Sequence, residues 1–185
     1  MRNVIMWNVV TLDGFFEGAT KWDLGFHERV WGDELQRFSI EQLDGADVIL
    51  FGRVTYEGMA AYWPNAKDEE GSITARMNAI PKVAFSRTLE RADWNNTRVV
   101  RDAVAEARRL KAEAGRDILV FGSADLCASL IEHDLIDEFR LCIAPVLLGQ
   151  GTPLFRTGAQ RELRLTDARP LKSGGVMAFY RRIQK

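Results

Sequence analysis

The sequence is poor in the residues that build metal and nucleophile sites. It has two histidines, His27 and His133, far apart in the chain. Neither has a partner at metal-ligand spacing. His133 reads as a capping or surface residue, and His27 as a surface helix start. The two cysteines, Cys127 and Cys142, fall in segments that read as a helix and a strand. They form no C-x-x-C pair and resemble small core residues. No metal is expected, nor any Ser-His or Cys-His nucleophile. The G-x-S-x-G elbow, the Walker A lysine motif and G-x-G-x-x-G after a strand are all missing, which argues against an acyl-transfer serine, a P-loop and a standard Rossmann site. Positive charge is not in surplus: 25 Lys and Arg face 26 Asp and Glu, a net charge of −1. Nucleic-acid partners are therefore not expected. No apolar stretch is long enough to span a bilayer. Met1 to Ile5 runs straight into a strand without a signal-peptide core, so the expected location is the cytoplasm. No repeat, low-complexity run or linker divides the 185 residues, and a single domain over 1–185 follows.

What is present is an ordinary globular composition, 46% hydrophobic and 28% charged, organised around the stretch from Asp47 to Glu57. Val48 to Phe51 is an unbroken apolar run. It ends at Gly52, and Arg53, Thr55 and Glu57 follow. A short continuous run closed by a turn residue predicts a strand buried on both faces, as in parallel sheets covered by helices. Val54 to Tyr62 then reads as a helix. Gly52 to Thr55 thus sits outside the carboxyl end of a strand, where open α/β sheets bind ligands. Glycine permits close approach, a helix amino terminus attracts phosphate, and arginine matches its oxygens. Thr55 reads as a helix cap or a phosphate donor.

The pattern recurs along the chain. Val4 to Leu12 is the first strand, interrupted in polarity by Asn8 and Thr11, and Asp13-Gly14 turns it. Phe15 to Trp22 is a glycine-punctuated loop with three aromatics, which either folds onto the core or walls a pocket. His27 to Leu43 reads as a helix. Ile73 to Ala79, Lys82 to Phe85 and Arg98 to Val100 read as helix, strand and strand, with Ser86-Arg87 directly after the second of these. Asp102 to Ala114 is an amphipathic helix with Asp102 as its cap. Asp117 to Phe121 is another buried strand, broken at Gly122-Ser123-Ala124 before a helix to Glu132. The later segments alternate with a two-residue period, and Lys172 to Gly175 makes a hairpin turn between them. Four strand ends, at Asp13, Gly52, Ser86 and Gly122, offer arginines, hydroxyls and glycines but little acid–base machinery. That set suits a phosphate-rich, largely apolar ligand such as a nucleotide cofactor, which would carry the chemistry itself.

Taken in order, Thr11 to Gly14, Ala46 to Glu57, Ser86-Arg87, Phe121 to Ser123 and Ala144 to Phe155 resemble the dihydrofolate-reductase-like superfamily. The nearer branch is the C-terminal reductase domain of the bifunctional riboflavin-biosynthesis deaminase/reductase. The resemblance implies an α/β, three-layer αβα fold with a mostly parallel sheet and an antiparallel C-terminal hairpin. It implies an NADPH-dependent reductase of a small heterocyclic substrate, similar to 5-amino-6-(5-phosphoribosylamino)uracil reductase or dihydrofolate reductase. A non-catalytic NADPH-binding module of the same fold, or another nucleotide-using enzyme, stays open beside it. Gly52, Arg53 and Thr55 match the motif on the cofactor phosphates. Ser86 and Arg87 match the strand end at the adenosine 2′-phosphate, and an arginine there favours NADPH over NADH. Gly122, Ser123 and Ala124 match the turn at the pyrophosphate and nicotinamide ribose. Val9, Leu12, Asp13 and Gly14 match the segment beside nicotinamide and substrate, with Asp13 orienting substrate or water. Gly149 and Gly151 match a late loop near the cofactor. Folate reductases carry a carboxylate on the helix before the Gly-Arg corner; Asp33 and Glu34 lie on that helix here, in no recognisable motif. Relatives in the riboflavin branch pair, so a homodimer is expected.

Overall fold

A computed structural model of the chain describes residues 2–66, 71–155, 158 and 160–183. Its centre is an eight-stranded sheet. The strands are β1 (Val4–Thr11), β3 (Ala46–Gly52), β4 (Lys82–Phe85), β5 (Thr97–Val100), β6 (Asp117–Phe121), β7 (Glu138–Ala144), β9 (Leu163–Pro170) and β10 (Val176–Arg182). They lie in the order β5-β4-β3-β6-β1-β7-β10-β9. The pairs from β5 to β7 are parallel, and β10 runs antiparallel to both β7 and β9. A separate two-stranded ribbon pairs β2 (Phe15–Glu17) with β8 (Thr152–Pro153).

The apolar run in β3 shows why the sheet needs helices on both faces. Val48 and Leu50 point to one side, where they join Ala107 and Leu110 of α4 (Ala103–Ala112) and Leu126 and Leu130 of α5 (Ala124–Glu132). Ile49 and Phe51 point to the other and meet Tyr56 of α2 (Arg53–Tyr62) and Ile73 and Met77 of α3 (Gly71–Ala79). Fully burying each of the valine, leucine, isoleucine, phenylalanine and methionine side chains among them contributes roughly 1.5–3 kcal/mol. A third cluster joins Leu35 of α1 (Asp33–Asp44) to Cys142 of β7 and Phe179 of β10. Burial pushes the thiols of Cys127 and Cys142 up to about 12, as inert core residues.

The ends of the helices differ in how they are closed. Asp102 caps α4 by accepting the Ala105 N–H at 2.9 Å. Lys82, 1% exposed, closes the carboxyl end of α3 by donating to the carbonyls of Met77 (2.8 Å), Asn78 (3.2 Å) and Ile80 (2.7 Å). Neither α2 nor α5 has a side-chain cap at its amino end.

Two expectations are corrected. The helix predicted over His27 to Leu43 is two elements, a 3-10 helix over Gly25–Arg29 and α1, separated where the chain is extended at Gly32. The aromatic loop contains β2, which the chain folds back to pair with β8. Among the described residues no helix is long and apolar enough to cross a membrane.

Candidate active site

The carboxyl ends of β3, β6 and β1 lie side by side, and a cavity of about 860 Å³ opens above them. That volume lies in the upper part of the roughly 300–1,000 Å³ range of small-molecule sites. Gly52, Arg53 and Thr55, Ser86 and Arg87, Gly122, Ser123 and Ala124, and Val9 all line it. Four stretches widely separated in sequence therefore meet in one space.

The floor between β3 and β6 is tied together by hydroxyls. Ser123 Oγ accepts the Gly52 N–H at 2.8 Å and donates to Thr55 Oγ1 at 2.6 Å. The turn that holds it is left-handed at two successive residues, Gly122 (φ +56°) and Ser123 (φ +60°). A side chain at Gly122 would place its Cβ 3.0 Å from Thr55 Cγ2. Glycine avoids both the strain and the contact. This geometry points the uncapped amino ends of α2 and α5 at the cavity, with their first-turn N–H groups and dipoles available to an anion. Thr55 thus braces the neighbouring turn rather than capping α2.

Arg53 is half-exposed and held by Glu57, with its Nη1 at 2.9 and 3.0 Å from the two carboxylate oxygens. Arg87 is exposed at the rim. Ser86 is buried; its Oγ accepts the N–H groups of Leu89 (2.8 Å) and Thr88 (3.2 Å), and its carbonyl accepts Arg101 Nη1 at 2.5 Å. Ser86 therefore shapes the turn that carries Arg87.

Asp13, Gly14, Gly149 and Gly151 are absent from the cavity wall. Asp13 is exposed and its carboxylate is committed to the loops: it accepts from Thr11 Oγ1 (2.6 Å), Leu148 N (3.2 Å) and Gly149 N (2.8 Å). Its pKa is lowered, first by the Thr11 hydroxyl and then by the Gly149 amide. This set joins the first loop to the late one and braces the β2–β8 ribbon, whose Phe16, Glu17 and Thr152 do reach the cavity. Glu17 is itself occupied, accepting from Trp22 N at 2.7 Å and Thr152 Oγ1 at 3.1 Å.

The opposite wall was hardly foreseen from the sequence. Four of the five tryptophans, Trp7, Trp22, Trp31 and Trp63, line the same cavity. Trp22 lies against the backbone of α2 at Gly58, where a Cβ would come within 1.8 Å of the indole. Helix α1 presents Leu35, Ser39 and Gln42 to the space, and neither Asp33 nor Glu34 lines it. Glu34 instead accepts the Lys172 N–H at 2.8 Å. Among the described residues, three buried polar atoms of the lining have no protein partner: Asn8 Nδ2, His27 Nε2 and Gln42 Oε1. Each such atom costs roughly 1–3 kcal/mol until something satisfies it. Asn8 cannot simply turn over, because its Oδ1 accepts the Gly122 N–H at 3.0 Å. His27 is edge-on to Phe26 at 4.8 Å, and burial lowers its pKa to about 4, so the imidazole is neutral near pH 7. His133, by contrast, sits exposed at the end of α5 with Nδ1 2.9 Å from Ser129 O. The signal for Asn8 was its isolation in an apolar strand. The reading of His27 as a surface helix start is corrected: it lines the cavity with Nε2 buried, because its place depends on how the preceding Trp22 loop closes.

Comparison with known proteins gives a consistent result. The model of the RibD C-terminal domain family matches residues 2–178. The uncharacterized protein YyaP of Bacillus subtilis (strain 168) is 33% identical over 190 residues, covering 97% of this chain and 94% of that protein. A protein of Shewanella sp. PV-4, whose name places it provisionally in riboflavin biosynthesis, superposes with a TM-score of 0.78 at 19% identity, covering 98% of this chain and 99% of that one. Dihydrofolate reductase of Enterococcus faecalis, solved with NADP(H), superposes with a TM-score of 0.67 at 11% identity, covering 98% and 97%. Identities this low bear on the fold, which is dihydrofolate-reductase-like.

Proposed function

The chain belongs to the RibD C-terminal domain family, and from that premise we propose that it is a cytosolic NADPH-dependent reductase of a small heterocyclic substrate. The observation that carries this is the convergence of Arg53, Ser86-Arg87 and Gly122-Ser123 on one cavity. The residues fit such a cofactor. Two helix amino ends without side-chain caps border the space, and Arg53, Arg87 and Arg101 line it. That is the donor set a pyrophosphate and a further phosphate require.

On this reading Arg53 and the first turns of α2 and α5 hold the pyrophosphate. Arg87 holds the adenosine 2′-phosphate and selects NADPH over NADH. Val9 and Asn8, in the carboxyl half of β1, border the nicotinamide. When bound, the cofactor supplies a hydride to a C=N or C=O bond. The tryptophan wall and the β2–β8 ribbon exclude water from that region. Asp13 acts indirectly, by fixing the loop that carries Gly149 and Gly151.

The test is titration with NADPH and NADH, with Arg53→Ala and Arg87→Ala beside the unaltered protein. NADPH should bind at least about tenfold tighter than NADH, and Arg87→Ala should erase the difference, since charge-assisted bonds of this kind are worth roughly 1.5–3 kcal/mol. Equal, weak binding of both nucleotides with no response to either substitution would sink the proposal.

One observation favours a second reading, a non-catalytic NADPH-binding module. Among the described residues, no carboxylate of α1 lines the cavity to deliver a proton to a ring nitrogen. Tight NADPH binding without cofactor consumption across pteridine, pyrimidine and quinone substrates would select that reading. A homodimer is part of the proposal: in the apolar stretch from Pro145 to Phe155, Leu147 and Phe155 are 72% and 48% exposed, and a partner would cover them. A monomeric mass by light scattering at micromolar concentration would refute it.

A further inference from the structure

The tryptophan wall and the cofactor corner have different chemistry. Arg53, Arg87 and Arg101 all stand on the β3, β4 and β5 side of the cavity, whereas Lys21, on the exposed first loop, is the one cation of the described lining beside the tryptophans. The described carboxylates of the lining are Glu17, bonded to Trp22 N and Thr152 Oγ1, and Asp125, in the first turn of α5. The aromatic end is therefore built neither to pair with a protonated, basic ring nor to grip a phosphate. Flat indoles suit a flat ligand. The polar atoms of the lining left without a partner among the described residues are Asn8 Nδ2, on a residue 6% exposed, His27 Nε2 and Gln42 Oε1. Asn8 can only donate there, because its oxygen is fixed by Gly122 N–H. Its complement is an acceptor such as a ring carbonyl.

We propose that this end of the cavity takes an uncharged, planar ring compound bearing a carbonyl, seated among the tryptophans with its polar ring atoms on Asn8 Nδ2 and His27 Nε2. Such a compound would be the hydride acceptor of the reductase proposed above, and its role as substrate rests on that function. Phosphoribosylated pyrimidines and basic diaminopyrimidines are then poor ligands. His27 becomes a residue that sets specificity.

Tryptophan fluorescence gives the readout without turnover. The whole chain is titrated with 1,4-naphthoquinone, with protonated 2,4-diaminopyrimidine and with uridine 5′-monophosphate, each with and without NADP+. The neutral dicarbonyl should quench at a concentration at least about tenfold below the other two. His27→Phe should weaken it by about tenfold or more, and His27→Gln, which keeps a polar atom near Nε2, should recover most of that loss. NADPH affinity should be the same in all three proteins. Equal or tighter binding of the diaminopyrimidine or the nucleotide overturns the proposal. So does naphthoquinone binding that His27→Phe leaves unchanged. If His27→Phe shows no cooperative melting, the ranking of the three ligands on the unaltered protein decides alone. Intact NADPH binding with the wrong ranking defeats this inference and spares the reductase. The right ranking without NADPH binding does the reverse.

Discussion

The two ends of the cavity treat their polar groups in opposite ways. At the β3–β6 corner the groups that build the turn satisfy one another: Gly52 N–H with Ser123 Oγ, Ser123 Oγ with Thr55 Oγ1, Gly122 N–H with Asn8 Oδ1. The corner is rigid before any ligand arrives, which is what a site for a large, costly-to-order cofactor needs. Elsewhere in the lining, Asn8 Nδ2, His27 Nε2 and Gln42 Oε1 are buried without partners among the described residues. There the fold carries a desolvation cost that a ligand of the right pattern relieves. The difference separates a prebuilt anion cradle from a surface whose bonding is completed by what it binds. Asn8 belongs to both, since its oxygen serves the corner and its nitrogen is left without a partner.

The largest effect expected at either end is a pH effect on stability at His27. Burial lowers its pKa from 6.5 to about 4. Between those values the unfolded chain binds a proton that the folded chain refuses. The stability tied to the neutral imidazole is therefore fully present above pH 6.5 and is lost as the pH falls toward 4. The gap is worth on the order of 3 kcal/mol. Chemical denaturation of His27→Phe should show a flatter decline across that window than the unaltered protein. Glu106, held at about 2 by Arg109 and then Arg98, loses its contribution only below its ordinary 4.5, so it separates from His27 on the pH axis. Matching profiles for the two proteins would mean that His27 is not buried in solution. At the corner, Gly122→Ala should cost about 1–2 kcal/mol for a non-glycine residue in the left-handed region, besides the contact with Thr55. NADPH affinity should fall with the melting temperature, because the same turn positions the start of α5.

How much of this was legible in the sequence follows from how local each signal is. Val48 to Phe51 announced a doubly covered strand because every residue of the run has a core to enter, and Gly52 marked its end. The cap at Asp102 and the hairpin at Lys172 to Gly175 were equally local. The β2–β8 ribbon was not legible, since strands of three and two residues have no period to read. The break at Gly32 was hidden because apolar positions continue across it. Asp13 looked like a site residue from its motif, yet its partners Leu148 and Gly149 lie 135 and 136 positions away, a distance no local pattern spans. The tryptophans were visible one by one, but their common cavity is a property of the closed fold.

Two smaller substitutions sharpen the contrast, one at each end. Arg53→Ala removes a guanidinium that is half-exposed and already shared with Glu57. Its stability cost should be under about 1 kcal/mol, as for surface ion pairs, while NADPH affinity falls by about tenfold and more steeply at low salt. Gly58→Ala addresses the other wall, and its sign on stability is a balance. An alanine inside α2 favours the helix by roughly 0.8–1 kcal/mol over glycine. Its Cβ, however, would lie within 1.8 Å of the Trp22 indole, so Trp22 must leave its seat. Trp22 is 37% exposed, at φ +65°, on a loop tied by Glu17 to its backbone N–H, so it has room to swing outward. The two contributions nearly cancel, and the melting temperature should move by only a few degrees. The ligand response should not cancel: quenching by a neutral planar ring should weaken while NADPH binding stays as it was. If Gly58→Ala instead weakens NADPH and leaves the ring compound untouched, the tryptophan wall belongs to the cofactor, and the division of the cavity into two ends is wrong.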